Sequence, residues 1–169
     1  MTAETVWQGR FIAMKVDGKW EYASRARGIG AAVILAIDAG EVILVEQYRV
    51  PIGARCLELP AGLVGDETAG EPVEIAAARE LEEETGYRPA RVEVIGHFHS
   101  SPGMVSEGFT LVRADGLERV GPGGGDGDED ITVHRVPLSA IEAFVAARRG
   151  EGVAIDVKLL MLLGPGLLR

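Results

Sequence analysis

The stretch Gly65-Asp66-Glu67-Thr68-Ala69-Gly70-Glu71-Pro72-Val73-Glu74-Ile75-Ala76-Ala77-Ala78-Arg79-Glu80-Leu81-Glu82-Glu83-Glu84-Thr85-Gly86-Tyr87 opens as a loop and ends as a helix. Pro72 to Thr85 is rich in Ala and Glu, both good helix formers, and Gly86 is a suitable residue for leaving a helix. At about 100° per residue, with Glu80 set at 0°, Glu83 falls near 300° and Glu84 near 40°, so the three carboxylates share one face roughly 100° wide. Glu82 points the other way. Arg79 is placed to pair with Glu83 four residues on, but one guanidinium cannot neutralise three acids. Taken alone, this face reads first as an ordinary solvated Glu-rich surface and second as a seat for a cation.

Outward from this helix the periodicity is that of strands. Upstream, Ala31–Ile37 and Glu41–Tyr48 are apolar, β-branched-rich runs joined by Asp38-Ala39-Gly40, which predicts a hairpin. Thr5 to Val16 and Lys19 to Ser24, around Asp17-Gly18, predict an earlier N-terminal antiparallel hairpin. Leu57-Glu58-Leu59 reads as a short strand that Pro60-Ala61-Gly62 takes into a loop. Downstream, strands are expected at Arg91 to His99, Gly108 to Ala114 and Ile131 to Val136, and helices at Ser139 to Arg148, with Ser139 placed to cap, and Asp156 to Leu163. Hairpins followed by a helix and further strands favour α+β, or a mixed-sheet sandwich, over a doubly wound parallel fold. Gly121 to Asp130 packs five glycines and four acids into ten residues, either a solvated loop or an acidic lid.

The whole chain bounds what these elements can do. Its 169 residues suit one domain with a sizeable core. With 17 Lys+Arg against 26 Asp+Glu the formal charge is −9, which argues against affinity for nucleic-acid phosphates. A phosphate-bearing substrate therefore needs a local cation. The one cysteine, Cys56, permits neither an intramolecular disulfide nor a Cys-rich zinc site and suits the reducing cytoplasm. The N-terminus lacks the basic and apolar regions of a secretory signal, and no run of about 18 apolar residues offers a membrane span.

From Gly65, five residues lead to Glu71 and seven more to Arg79-Glu80-Leu81-Glu82-Glu83-Glu84-Thr85-Gly86-Tyr87. At every defined position this resembles the Nudix box, G-x5-E-x7-R-E-U-x-E-E-x-G-U, where U is bulky and apolar or aromatic. The resemblance implies an α/β/α sandwich around a mixed sheet and hydrolysis of a nucleoside diphosphate linked to another group. It makes Glu80 and Glu84 direct ligands of Mg²⁺ or Mn²⁺, with Glu83 a further ligand or a support, Arg79 orienting the carboxylates, Glu71 and Gly65 shaping the loop, and Leu81 anchoring the helix. Hard divalent ions favour such carboxylate oxygens together with substrate phosphates.

Flanking segments resemble the ADP-ribose pyrophosphatase branch: Leu57-Glu58-Leu59-Pro60-Ala61-Gly62 before the box, and Ser101-Pro102-Gly103-Met104-Val105-Ser106-Glu107 after it. That likeness implies a metal contact from the Ala61 carbonyl, phosphate contacts from Arg49, and substrate contacts near Pro102 and Gly103. Gly127-Asp128-Glu129-Asp130-Ile131 resembles the branch's late acidic loop, with Glu129 at the metal-binding position. Gly127 stands where a catalytic glutamate is often found, so the base falls to Asp126, Asp128, Glu107 or Glu83. Two or three metal ions are implied, and a homodimer exchanging N-terminal strands, in which the Trp7 to Arg27 hairpin brings Arg25 or Arg27 to the other chain's pocket. The expected reaction is metal-dependent cleavage of ADP-ribose or a related nucleoside diphosphate sugar. GDP-mannose, a UDP-sugar and a dinucleoside polyphosphate are alternative substrates, with Phe11, Trp20, Tyr22 and Tyr48 read either as base-recognition residues or as core packing. A non-catalytic nucleotide-binding module is the rival from another class.

Overall fold

The computed structural model describes residues 3–26, 29–65, 68, 70–125, 127 and 129–167. Eleven strands and three α-helices form in the order β1 (Glu4–Gln8), β2 (Ile12–Asp17), β3 (Trp20–Arg25), β4 (Gly30–Asp38), β5 (Glu41–Arg49), β6 (Ala54–Glu58), β7 (Ala61–Val64), α1 (Val73–Thr85), β8 (Tyr87–His99), β9 (Gly108–Arg119), β10 (Thr132–Pro137), α2 (Ile141–Gly150), β11 (Ala154–Ile155) and α3 (Leu160–Leu167). This is the expected α+β class, with a mixed sheet between helices and a small antiparallel sheet at the N-terminus.

The β4–β5 turn places Ala39 and Gly40 at positive φ, 49° and 80°, the twist that a two-residue hairpin needs. The strands pair only at Ile37↔Val42 and Asp38↔Glu41. Beyond that tip they part, and each builds its own half of the sheet. β4 pairs in parallel with β9 and antiparallel with β7, while β5 pairs antiparallel with β6 and β10. β8 extends the first half beside β9, and β11 extends the second beside β6.

Alternation along β4 assigns its two faces. Ala32, Ile34 and Ala36 pack with Ile43, Val112 and Ala114 under Ala77 and Leu81 of α1. Val33 faces the opposite way, into a cluster with Leu44, Leu57 and Leu111 that Ile141 and Val145 of α2 and Leu159 and Leu163 cover. Both faces of the strand are therefore buried, which is why its sequence is an almost continuous apolar run. Leu81, fully buried, seats the acidic helix against the sheet.

Several boundaries differ from expectation for local reasons. Thr5 to Val16 is two strands, because the Gly9 N–H turns back to the Ile12 carbonyl at 2.9 Å, and the N-terminal sheet is a three-stranded meander. Pro60-Ala61-Gly62 is no simple loop: Ala61–Val64 is a strand paired with β4, its position set by the partner and not by propensity. β8 and β9 are longer than predicted, pairing from Tyr87↔Arg119 to His99↔Gly108. Ser139 lies inside a 3-10 turn, Leu138–Ala140, and no side chain caps α2. Asp156 does cap the turn before α3, accepting from the Lys158 N–H at 2.7 Å. Among the described residues no helix is long and apolar enough to cross a membrane.

Candidate active site

α1 needs its C-terminal end tied off, because the last carbonyls of any helix have no partner within it. Gly86 takes the left-handed conformation, φ 75°, and returns its N–H to the Glu82 carbonyl at 2.8 Å. The next carbonyls are taken by the glycine-rich segment: Gly124 N–H donates to Glu84 O at 2.8 Å and Gly125 N–H to Glu83 O at 3.1 Å. A Cβ on Gly123 would collide with the Thr85 and Gly86 backbone, so this close approach requires glycine. The first half of Gly121 to Asp130 is therefore docked on the helix that carries the acids, and is not simply a solvated loop.

Within this frame the carboxylates converge on the start of β7. Glu84, 6% exposed, accepts a hydrogen bond from the Ala61 N–H at 3.1 Å. The Glu80 carboxyl lies over Gly62, where any Cβ would collide with it. Arg79 sits among the acids, with Nη1 3.0 Å from Glu83 Oε2 and 3.2 Å from Glu80 Oε1, and Nη2 3.7 Å from Glu71 Oε2. Glu82 points away and is bonded by Arg88 at 2.8 Å.

These groups line a cleft of about 420 Å³. Glu80, Glu83, Glu84 and Glu129 supply four carboxylates to its wall, and Arg25, Arg49 and Arg79 three guanidiniums. The arginines already hold acidic partners. Arg49 makes a two-pronged contact with buried Glu58, at 2.6 and 2.8 Å, and Arg25 Nε donates to Glu107 at 2.6 Å. Burial pushes the Glu84 carboxyl up to about 8; the Ala61 N–H opposes this, and the charges of Glu80 and Glu129 reinforce it. A buried acid with this excess of neighbouring acids is electrostatically unfinished.

The cleft thus gathers Arg49, Ala61, Arg79, Glu80, Glu83, Glu84 and Glu129. It does not include Pro102 and Gly103, which line a second cavity of about 340 Å³ with Trp20 and Tyr22. Nor does Glu107 line it, since that carboxylate is engaged by Arg25 at the edge. Arg27, Asp126 and Asp128 lie outside the described residues. Sequence reasoning missed Glu58, Gln47 and Gly62; for Glu58 the available signal was its place opposite Arg49's strand. Phe11, Trp20 and Tyr48 are more than half exposed, so none is core packing.

Carboxylate oxygens are the donors that hard divalent ions prefer. Among the described residues no three acidic, His or Cys side chains are already gathered into a metal cage. An ion held by so few side chains would complete its shell with water and phosphate oxygens. The donor chemistry and the raised proton affinity of Glu84 both fit such an ion.

A sequence profile of the NUDIX domain matches residues 26–154. A methanol dehydrogenase activator of Bacillus methanolicus is 35% identical over 147 residues, covering 83% of this chain and 77% of that protein. An ADP-ribose pyrophosphatase of Mycobacterium tuberculosis is 34% identical over 159 residues, covering 89% and 75%. A GDP-mannose pyrophosphatase of Cronobacter sakazakii is 39% identical over 147 residues, covering 81% and 72%. The crystal structure of an ADP compounds hydrolase superposes with a TM-score of 0.71 at 24% identity, over 99% of this chain and 92% of that one, a likeness of fold.

Proposed function

The chain belongs to the Nudix family, and on that premise we propose that it hydrolyses the pyrophosphate bond of ADP-ribose or a closely related nucleoside diphosphate sugar. It is a Nudix pyrophosphohydrolase, and its relatives support the nucleoside diphosphate sugar class. The products of the proposed reaction are a nucleoside monophosphate and a sugar phosphate. The observation that carries this reading is the cleft's surplus of carboxylates around buried Glu84, beside arginines already committed to acids.

Glu80, Glu84 and the Ala61 carbonyl would hold Mg²⁺ or Mn²⁺, with Glu83 and Glu129 as further ligands. Bound there, two or three such ions would act as Lewis acids and lower the pKa of a coordinated water. Arg79, paired with both, keeps Glu80 and Glu83 oriented. Arg49, held flat by Glu58, and Arg25, held by Glu107, offer the remaining faces of their guanidiniums to phosphate oxygens. Glu83 or Glu129, both on the cleft wall, accepts the proton of the attacking water. Glu107 is the weaker choice of base because Arg25 engages its carboxylate.

The cavity between Trp20, Tyr22, Pro102 and Gly103 suits a nucleobase, since flat aromatic walls stack with bases. That cavity joins the N-terminal sheet to the segment after β8, which meet at the Ala23↔Val105 bridge. Val6, Trp7, Phe11 and Ile12 stand exposed on the outer part of the N-terminal sheet. They favour a homodimer in which this sheet is shared or exchanged. Light scattering at assay concentration tests this, and a monomer rejects it.

The test of the activity is a panel of ADP-ribose, GDP-mannose, UDP-glucose, NADH and diadenosine polyphosphates, with and without Mg²⁺. Mg²⁺-dependent AMP release, fastest from ADP-ribose, is the expected result. Equal turnover in EDTA contradicts the metal assignment, and a preference for GDP-mannose moves the substrate.

A further inference from the structure

We propose that Arg55 is a positioning residue for the acidic loop, gripping Asp130 and Thr132 so that Glu129 is presented to the cleft. The proposal rests on the function above only in giving Glu129 a role. Arg55 lies on β6 and is not among the residues that line the cleft, and its guanidinium is used on two fronts. Toward the sheet, Nε donates to Glu46 Oε1 and Nη2 to the Glu46 carbonyl, both at 2.8 Å. Toward the loop, Nη1 donates to Asp130 Oδ2 at 2.9 Å and Nη2 to Thr132 Oγ1 at 3.0 Å, with the Asp130 carbonyl at 3.4 Å.

The inner front cannot shift easily. Glu46 is 2% exposed, and its other oxygen is held by Arg148 at 2.6 and 3.0 Å, with His134 at 3.3 Å. A planar fork bonded on several sides to a buried anion is a fixed point from which the outer front can act. Upstream, the same loop is fixed by Gly124 and Gly125 on the α1 carbonyls, and the Ile131 N–H closes it back to Gly124 O at 3.3 Å. Glu129 lies between these two anchors, folded so closely over Gly125 that a Cβ there would strike its carboxylate. Two anchors and one carboxylate between them constitute a mount. Asp130 itself is 84% exposed at its side chain, so its pair with Arg55 adds little to global stability. Its effect should therefore appear in the order of the loop.

Hydrogen exchange read by mass spectrometry on the metal-free protein, together with steady-state kinetics, tests this on Arg55→Gln, Asp130→Asn and the double variant. The expected result is several-fold faster exchange confined to peptides covering Gly124–Thr132, with α1 at the parental rate. In parallel kcat should fall about tenfold with KM for ADP-ribose within about twofold, and the double variant should lose no more than the worse single one. Parental loop exchange in Asp130→Asn, kcat losses that multiply in the double variant, or an unchanged kcat overturns the proposal. Should Arg55→Gln fail to fold, Asp130→Asn decides alone. Should no nucleoside diphosphate derivative be hydrolysed, the functional reading fails while the exchange measurement still judges the mount.

Discussion

Glu46 and Glu84 are both glutamates buried in the same sheet-and-helix sandwich, at 2% and 6% exposure, yet their surroundings are opposite. Around Glu46, on β5, the chain assembles Arg55 from β6, Arg148 from α2 and His134 from β10. Burial alone would raise its proton affinity, but the arginines and the histidine outweigh that and hold the carboxyl below its ordinary range. Around Glu84 the chain supplies one backbone N–H, two further carboxylates and the more distant Arg49, and burial prevails. The first region is a closed ion-pair network. The second is a cluster of acids around which the positive charge is shared, Arg79 lying among Glu71, Glu80 and Glu83 and Arg49 standing farther off. The two differ in whether neighbouring cations outweigh burial, and burial by itself does not distinguish them.

Substitution separates them most sharply. Glu84→Gln keeps the size of the side chain and removes a charge from the proposed ion shell. Turnover of ADP-ribose should fall several hundredfold or more, since positioned electrostatic contributions of this kind are worth about 3–4 kcal/mol. Circular dichroism should show the fold retained. Parental turnover would break the comparison at its functional end. Glu46→Gln should act chiefly on stability, with turnover falling no further than the roughly tenfold that loosening Arg55 and its hold on the acidic loop brings, far short of Glu84→Gln. Removing one partner of a buried pair costs about 3–5 kcal/mol; partial exposure of both arginines places this case at the low end, about 3 kcal/mol, read from urea denaturation.

The pH dependence of the ion-free protein follows from Glu84. Its carboxyl titrates near 8 when folded and near 4.5 in its ordinary state, so the folded chain binds the extra proton between those values. Stability in EDTA should therefore be greatest toward the acid end of that window and decline as pH rises through it, by a few kcal/mol at most. The decline should be absent in Glu84→Gln and flattened by added Mg²⁺. A rise in stability attributable to Glu84 over the same range would mean that the folded chain binds the proton less tightly than the unfolded one.

The smallest effect concerns Gly62. A methyl group there must displace the Glu80 carboxyl, so Gly62→Ala should lower kcat/KM about tenfold, a barrier change near 1.4 kcal/mol. Calorimetry should show weaker Mn²⁺ binding in the same variant, while its thermal midpoint stays near the parental one.

Much of the Glu84 side was legible in the sequence because helical spacing is local information. Three glutamates within one turn, Leu81 beneath them and Gly86 behind them define a face without reference to the rest of the chain. The Glu46 side was not legible, because its partners come from three other elements and meet only when β5 has neighbours on both sides. The same holds for Arg49 with Glu58, joined across adjacent strands. β7 escaped prediction since Pro60-Ala61-Gly62 has poor strand propensity, and pairing with β4 overrides it. The glycine-rich segment was read for its composition, whereas its backbone amides do the structural service at the end of α1.

What remains to be tested first is whether the acidic end of α1 takes divalent ions against a bridging pyrophosphate. The most direct test is an anomalous difference map from crystals soaked with Mn²⁺ and a non-hydrolysable ADP-ribose analogue. At least one Mn²⁺ peak should lie between the Glu80 and Glu84 carboxylates, touching the diphosphate. An ordered analogue with no anomalous density at those side chains would contradict this placement of the ions.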